Sequence, residues 1–203
     1  YAKAHVRLAK ALVALGEVDG AASSLERAAT LVGAEQQKEL AGERARVARL
    51  SEHVTGGRCA LEAGDPAAAL ATFMQALAIA PDAAGLSVWA ARAEVALGRC
   101  DSALSRTLSV LRTDARNTGA HAVRGESLML TGQHEQALKH YREALRLDPD
   151  FGEAQRGMRR CKSVKATCEE AREACRTRDF TAAAKAYTEA LSALCGTPAA
   201  APL

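Results

Sequence analysis

The stretch EALRLDPDFGEAQ at residues 143–155 is nearly repeated by QALAIAPDAAGLS at residues 75–87. Both copies run from an Ala- and Leu-rich, helix-forming segment into a Pro-Asp pair, where a helix must end. They lie 68 residues apart, which is twice 34. A 34-residue period requires a third copy between them, and the degenerate stretch ALSRTLSVLRTDARN at residues 103–117 occupies that place.

Small and turn-forming residues recur at the same spacing through the middle of the chain. The equivalent sets are Gly57, Ala91 and Gly125; Gly64, Gly98 and Gly132; Ala69, Ala103 and Ala137; Phe73, Thr107 and Tyr141; and Pro81, Ala115 and Pro149. The middle copy has lost both its aromatic residue and its proline. A fixed period of this length is typical of a stack of identical helical units.

Each unit is predicted to contain two helices. The small residue at the first position lets the partner helix approach closely, and the glycine seven residues later ends the first helix in a left-handed cap. The Ala, aromatic and Ala that follow share one face of the second helix. The proline ends that helix, since it has no N–H to donate and clashes with the preceding turn.

This pattern resembles the tetratricopeptide repeat (TPR) family. The resemblance implies an all-α fold whose helix-turn-helix repeats stack into a right-handed superhelical solenoid with a concave, protein-binding groove. Two further copies carry Gly16 and Arg178 at the glycine position, and inserts rich in helix formers separate them from the central three. The predicted organisation is a repeat at 1–34, a helical extension at 35–49, three repeats at 50–151, an extension at 152–163, a repeat at 164–195 and a loose tail at 196–203.

The composition and the motif content of the chain argue against several classes of function. The net charge of +3 is too small to indicate a nucleic-acid or membrane partner, and no apolar run is long enough to span a bilayer. The five histidines show no HExxH spacing, and the chain has no phosphate-binding loop and no GxSxG motif. We therefore predict no enzyme activity, no cofactor and no metal. The predicted location is the cytoplasm, with the nucleus as a second compartment.

The six cysteines also fit a reducing compartment. They show no CxxC spacing, and Cys161, Cys168 and Cys175 recur every seven residues, too far apart along one helix for a disulfide or a shared metal. We expect them to be small buried packing residues.

The chemical character of the concave groove is predicted from one residue in each repeat. This is the residue that directly follows the small residue where the two helices cross. These residues are Lys10, Arg58, Arg92, Glu126 and Arg172, four of which are basic. They indicate affinity for an acidic segment, although pairing with carboxylates on neighbouring helices would explain them equally well. Trp89, the only tryptophan, lies in the same first-helix face. It is either a binding anchor or a residue that fills space between helices.

Lys3 and Arg7 give the sharper prediction. They are four residues apart on one face of the first helix. In TPR co-chaperones that bind the Glu-Glu-Val-Asp tail of heat-shock chaperones, a Lys or Arg and an Arg stand at these two places of the third repeat. The resemblance implies that Lys3 and Arg7 form half of such a carboxylate clamp, with the other half upstream of Tyr1 in a longer protein. The predicted peptide-binding residues are thus Lys3, Arg7, Lys10, Arg58, Trp89 and Arg92.

The order of repeats and extensions resembles the middle of the co-chaperone family that combines two TPR blocks with a J domain. It implies a scaffold that binds the C-terminal tails of heat-shock chaperones. One departure is that Cys168 and Arg172 stand where a second clamp would place Lys and Asn. The alternative is a structural TPR subunit of a large assembly, such as a ciliary or transport complex.

Overall fold

The computed structural model describes residues 1–195, apart from the side chains of residues 34–36, 39 and 195. Within that range all regular structure is helical, which confirms the predicted all-α fold; the predicted tail at 196–203 lies outside it. The ten helices are α1 (Ala2–Leu15), α2 (Val18–Ala29), α3 (Ala34–Glu62), α4 (Pro66–Ile79), α5 (Ala84–Ala96), α6 (Cys100–Thr113), α7 (Thr118–Leu130), α8 (His134–Leu147), α9 (Gly152–Arg176) and α10 (Phe180–Cys195). The chain divides into two compact units, Tyr1–Leu97 and the part from Gly98 onward.

The predicted left-handed turns are confirmed. Gly16, Gly64, Gly98 and Gly132 have φ values of 80°, 77°, 73° and 78°. Arg178 takes the same place in the last repeat with a φ of 61°, and it is the one described residue other than glycine with a positive φ. Because this conformation crowds the Cβ of an L-residue, Arg178 carries strain that a glycine there would avoid.

The two inserts continue the helices that follow them. A single helix of 29 residues, α3, contains the whole extension predicted at 35–49, and the 25-residue helix α9 contains the whole extension predicted at 152–163. The structure therefore has no break between either extension and its repeat.

Unit 1 is built around two apolar clusters. One joins α1, α2 and α3 through Val13, Leu25 and Leu50, which are almost completely buried. The other surrounds Phe73 of α4, whose ring lies against Gly57 of α3. A Cβ added to Gly57 would lie 2.7 Å from the Phe73 ring, so the predicted close helix crossing is present.

Unit 2 repeats this arrangement with Tyr141 of α8. The ring is buried between Gly125 of α7 and Gly157 of α9, where added Cβ atoms would come within 2.9 Å and 2.5 Å of it. Burial raises the pKa of its hydroxyl. In the degenerate copy, Thr107 fills the aromatic position and its hydroxyl donates to the Ala103 carbonyl at 2.7 Å. In this copy the aromatic ring is thus replaced by a small side chain whose hydroxyl is hydrogen-bonded within its own helix.

The prediction that the cysteines are buried holds fully for only one of the five whose side chains are described; Cys100 and Cys168 are partly exposed. Cys161 is buried in the core of unit 2, whereas Cys59 and Cys175 are exposed. None of these five forms a disulfide in the structure.

Candidate functional site

Lys3 and Arg7 lie on the exposed surface of α1. Their spacing of four residues separates them by about 6 Å along the helix axis on one face. Neither makes an ion pair with any residue that the structure describes. Both charges are therefore available to a ligand.

Lys10 lies one turn further along the same helix but is engaged within the fold. Its Nζ lies 3.1 Å from Oε1 of Glu43, and this ion pair connects α1 to the long helix α3. The Lys10 side chain is 54% exposed, so the pair is a partly solvated one of small net energy. Of the three basic residues predicted on α1, Lys10 alone has part of its charge neutralised by a described residue.

Arg58, Trp89 and Arg92 are brought together in unit 1. The guanidinium carbon of Arg58, on α3, lies 5.4 Å from the Trp89 ring centroid, and that of Arg92 lies 4.8 Å from it. Both distances are within the range of a cation–π interaction. Sequence spacing alone did not indicate that two cations share one ring.

The Trp89 side chain is held in place by its packing against Phe73. Its ring stacks on Phe73 with a centroid separation of 6.1 Å and an interplanar angle of 20°. Phe73 itself is fully buried and confined by the crossing at Gly57. Trp89 is only partly buried, so it both fills space above Phe73 and presents part of its surface to solvent.

In unit 2 the position equivalent to Arg92 is occupied by Glu126, whose charge is neutralised by another residue of the same unit. Glu126 of α7 accepts a hydrogen bond from Arg160 of α9 at 2.9 Å, with side chains 26% and 22% exposed. Arg160 follows Glu126 by 34 residues, and Glu126 follows Arg92 by the same interval. This spacing was a signal in the sequence that could have revealed the pair.

A histidine pair in unit 2 was not predicted. Nδ1 of His121 lies 3.0 Å from Nδ1 of His140, and the second nitrogens contact the Ala115 carbonyl and Nε of Arg124. A carbonyl only accepts hydrogen bonds and a guanidinium only donates them, and these two contacts therefore determine which ring nitrogen of each histidine carries the proton. His121 carries its proton on Nε2, while His140 donates from Nδ1 to His121 and accepts from Arg124 at Nε2.

This arrangement holds His140 neutral. Burial lowers its pKa to about 4, with smaller contributions from the positive charge of Arg124 and from His121, against an opposing effect of Glu143. Arg124 also donates from Nη1 to the Leu104 carbonyl at 2.8 Å, which fixes it between α6 and α8.

The described residues form neither a metal site nor a membrane-spanning helix. No group of three or more His, Cys, Asp or Glu side chains there could hold a metal ion. None of the described helices combines the length and apolar character needed to cross a membrane.

The chain is similar to TPR proteins in sequence. Models of the tetratricopeptide repeat match residues 60–126 and 120–151. A Dictyostelium discoideum protein named DnaJ homolog subfamily C member 7 homolog is 27% identical over 95% of this chain and 35% of its own length. The human DnaJ homolog subfamily C member 7 is 29% identical over 94% of this chain and 38% of its own length. The chain thus spans little more than a third of the curated relatives it matches.

Solved structures show the same fold. The crystal structure of the P58(IPK) TPR domain matches 98% of this chain and 55% of that one, with a TM-score of 0.62 and 20% identity. The second TPR domain of human RPAP3, solved with an HSP70 peptide of sequence SGPTIEEVD, matches 58% of this chain and 98% of that domain, with a TM-score of 0.50 and 18% identity.

Proposed function

We propose that this chain, a TPR protein-interaction scaffold similar over most of its length to DnaJ subfamily C member 7 proteins, docks the acidic C-terminal tail of heat-shock chaperones. Lys3 and Arg7 are one half of the clamp that holds the terminal carboxylates. The observation that carries the proposal is the exposure of these two cations on one face of α1, without an ion pair to any described residue.

The chemistry of the tail fits this pair. A segment ending in Glu-Glu-Val-Asp presents several carboxylates, including the chain terminus. Ammonium and guanidinium groups bind carboxylates through charge-assisted hydrogen bonds, which are shorter and stronger than neutral ones. Arg7 presents a planar fork that a carboxylate accepts in two places, whereas Lys3 contributes a single flexible charge.

The comparisons support the same ligand class. The RPAP3 domain that shares this fold was solved with an HSP70 peptide ending in EEVD. The similarity to the subfamily C member 7 proteins is not confined to the central repeats, because it extends over 94–95% of the chain.

The test is tail-peptide binding by the full-length protein, measured by calorimetry. Arg7→Ala should weaken binding of a peptide ending in Glu-Glu-Val-Asp by about 1–3 kcal/mol, as expected for loss of a charged hydrogen-bond partner. Arg27→Ala is the matched control, because Arg27 is also exposed but lies on α2. Equal affinity of the two variants would refute the clamp.

A structural subunit of a larger assembly is the second candidate, and one surface favours it. Phe180, Tyr187 and Leu191 share a face of α10 and are 67%, 40% and 61% exposed. An apolar face of this kind marks a protein contact. This candidate predicts constant co-purification with fixed partners, insensitive to Arg7→Ala and abolished by Leu191→Lys.

A further inference from the structure

We propose that Arg58, Trp89 and Arg92 form a second docking site, on α3 and α5 of unit 1, that binds an acidic peptide segment of a partner protein through internal side-chain carboxylates. We call these three residues the arginine–tryptophan site. It is independent of the clamp at Lys3 and Arg7, since it needs neither a free chain terminus nor α1.

The first argument is charge. Two guanidinium groups lie over one indole ring, at 4.8 Å and 5.4 Å from its centroid. Each guanidinium lies close enough to be attracted by the ring, and a carboxylate placed against the exposed Arg58 would gain a charge-assisted hydrogen bond. Arg58 is exposed and makes no ion pair with a described residue, so its charge faces solvent.

The second argument is rigidity. Trp89 stacks on Phe73, and Phe73 is fully buried against Gly57. The indole therefore loses little conformational freedom when a ligand binds. A preorganised aromatic residue of this kind gives more binding energy than the same contact on a mobile side chain.

The third argument selects the class of ligand. A peptide can place a carboxylate against Arg58 while a neighbouring apolar side chain contacts the solvent-exposed part of Trp89, which needs no free ring face. A single-stranded nucleic acid would need a free ring face on which a base could stack. Phe73 already stacks on the Trp89 ring and the guanidinium groups lie over it, so the site favours a peptide.

The fluorescence of Trp89 provides a direct measurement of binding at this site. Because it is the only tryptophan in the chain, its emission reports this site alone. The probe is the peptide acetyl-DELDE-amide, whose blocked C-terminus cannot occupy a carboxylate clamp. The uncharged analogue acetyl-NQLNQ-amide and an oligothymidylate are the comparison ligands. Anisotropy of the dye-labelled peptides is recorded in parallel, so binding that leaves the emission unchanged is still detected.

We expect saturable binding of the acidic peptide that weakens as salt is raised and is absent with the uncharged analogue. Arg58→Ala should weaken it about tenfold, as for one charge-assisted hydrogen bond. Arg44→Ala removes the same charge from an exposed position about 21 Å away along α3 and should change affinity less than about twofold.

Three results would overturn the proposal. These are no saturable binding by either signal, equal weakening by Arg58→Ala and Arg44→Ala, and tighter binding of the oligothymidylate than of the acidic peptide. Failure here leaves the clamp untouched, because the blocked peptide tests only the arginine–tryptophan site.

Discussion

The histidine pair should make unit 2 less stable as the pH falls below neutrality. In the folded chain His140 donates to His121 and accepts from Arg124, so a second proton on His140 would remove the acceptor that Arg124 uses. The folded-state pKa of His140 is about 4, below the ordinary value of 6.5. The unfolded chain therefore binds more protons between these values, and the stability contributed by neutral His140 is complete above about pH 6.5 and declines toward pH 4.

The size of the effect follows from this shift. Linkage between a pKa of 6.5 in the unfolded chain and about 4 in the folded one corresponds to about 2 kcal/mol lost on going from about pH 7.5 to about pH 5. His140 is only partly buried, and solvent screening reduces the expected loss to about 1–2 kcal/mol. The negative charge of Glu143 favours the charged imidazole and opposes this lowering, and the pKa of about 4 for His140 already reflects that effect.

The assay is urea denaturation followed by circular dichroism at the two pH values. His140→Gln removes the titrating group, so the variant should lose about 1–2 kcal/mol less than the parent chain over the same pH step. His53→Gln on α3 is the control, and it should reproduce the parent's pH dependence. Amide hydrogen exchange should place the difference in α7 and α8. Identical pH dependence of the parent and the His140→Gln chain would refute the proposed proton arrangement.

Two further predictions concern glycine positions. Gly157→Ala should destabilise the chain by about 1–3 kcal/mol, because its Cβ would meet the buried Tyr141 ring at 2.5 Å, whereas Gly42→Ala, with nothing within 4 Å, should stabilise it by about 0.5–1 kcal/mol. Denaturation midpoints of the two variants that move in the same direction would contradict this packing. Arg178→Gly should raise the melting temperature, since it removes strain worth about 1 kcal/mol at a φ of 61°; an unchanged or lower melting temperature would argue against that strain.

The sequence predicted the helical hairpins because their signals are local and periodic. Gly64 and Gly132 mark turns that require a left-handed residue, and Gly57 and Gly125 mark crossings that leave no room for a Cβ. Each signal repeats after 34 residues, so a substitution in one copy does not hide it. The same logic found Arg178 as the degenerate turn residue.

The missed features depend on contacts between different repeat positions. Gly157 packs on Tyr141 from a register position where the two preceding copies carry Val123 and Trp89, so the period could not reveal it. The pairing of His121 with His140 depends on side-chain direction across two helices. For the candidate site, the sequence placed Arg58, Trp89 and Arg92 on similar helix faces, but their convergence on one ring needed the structure.

The most direct test of the central claim compares two forms of one ligand. The full-length protein is titrated with a peptide ending in Glu-Glu-Val-Asp, first with a free C-terminal carboxylate and then as the C-terminal amide. If Lys3 and Arg7 hold terminal carboxylates, the amide should bind at least about tenfold more weakly, and Arg7→Ala should remove most of that difference. Equal binding of the two forms would contradict the clamp and leave the assembly-subunit function as the better account.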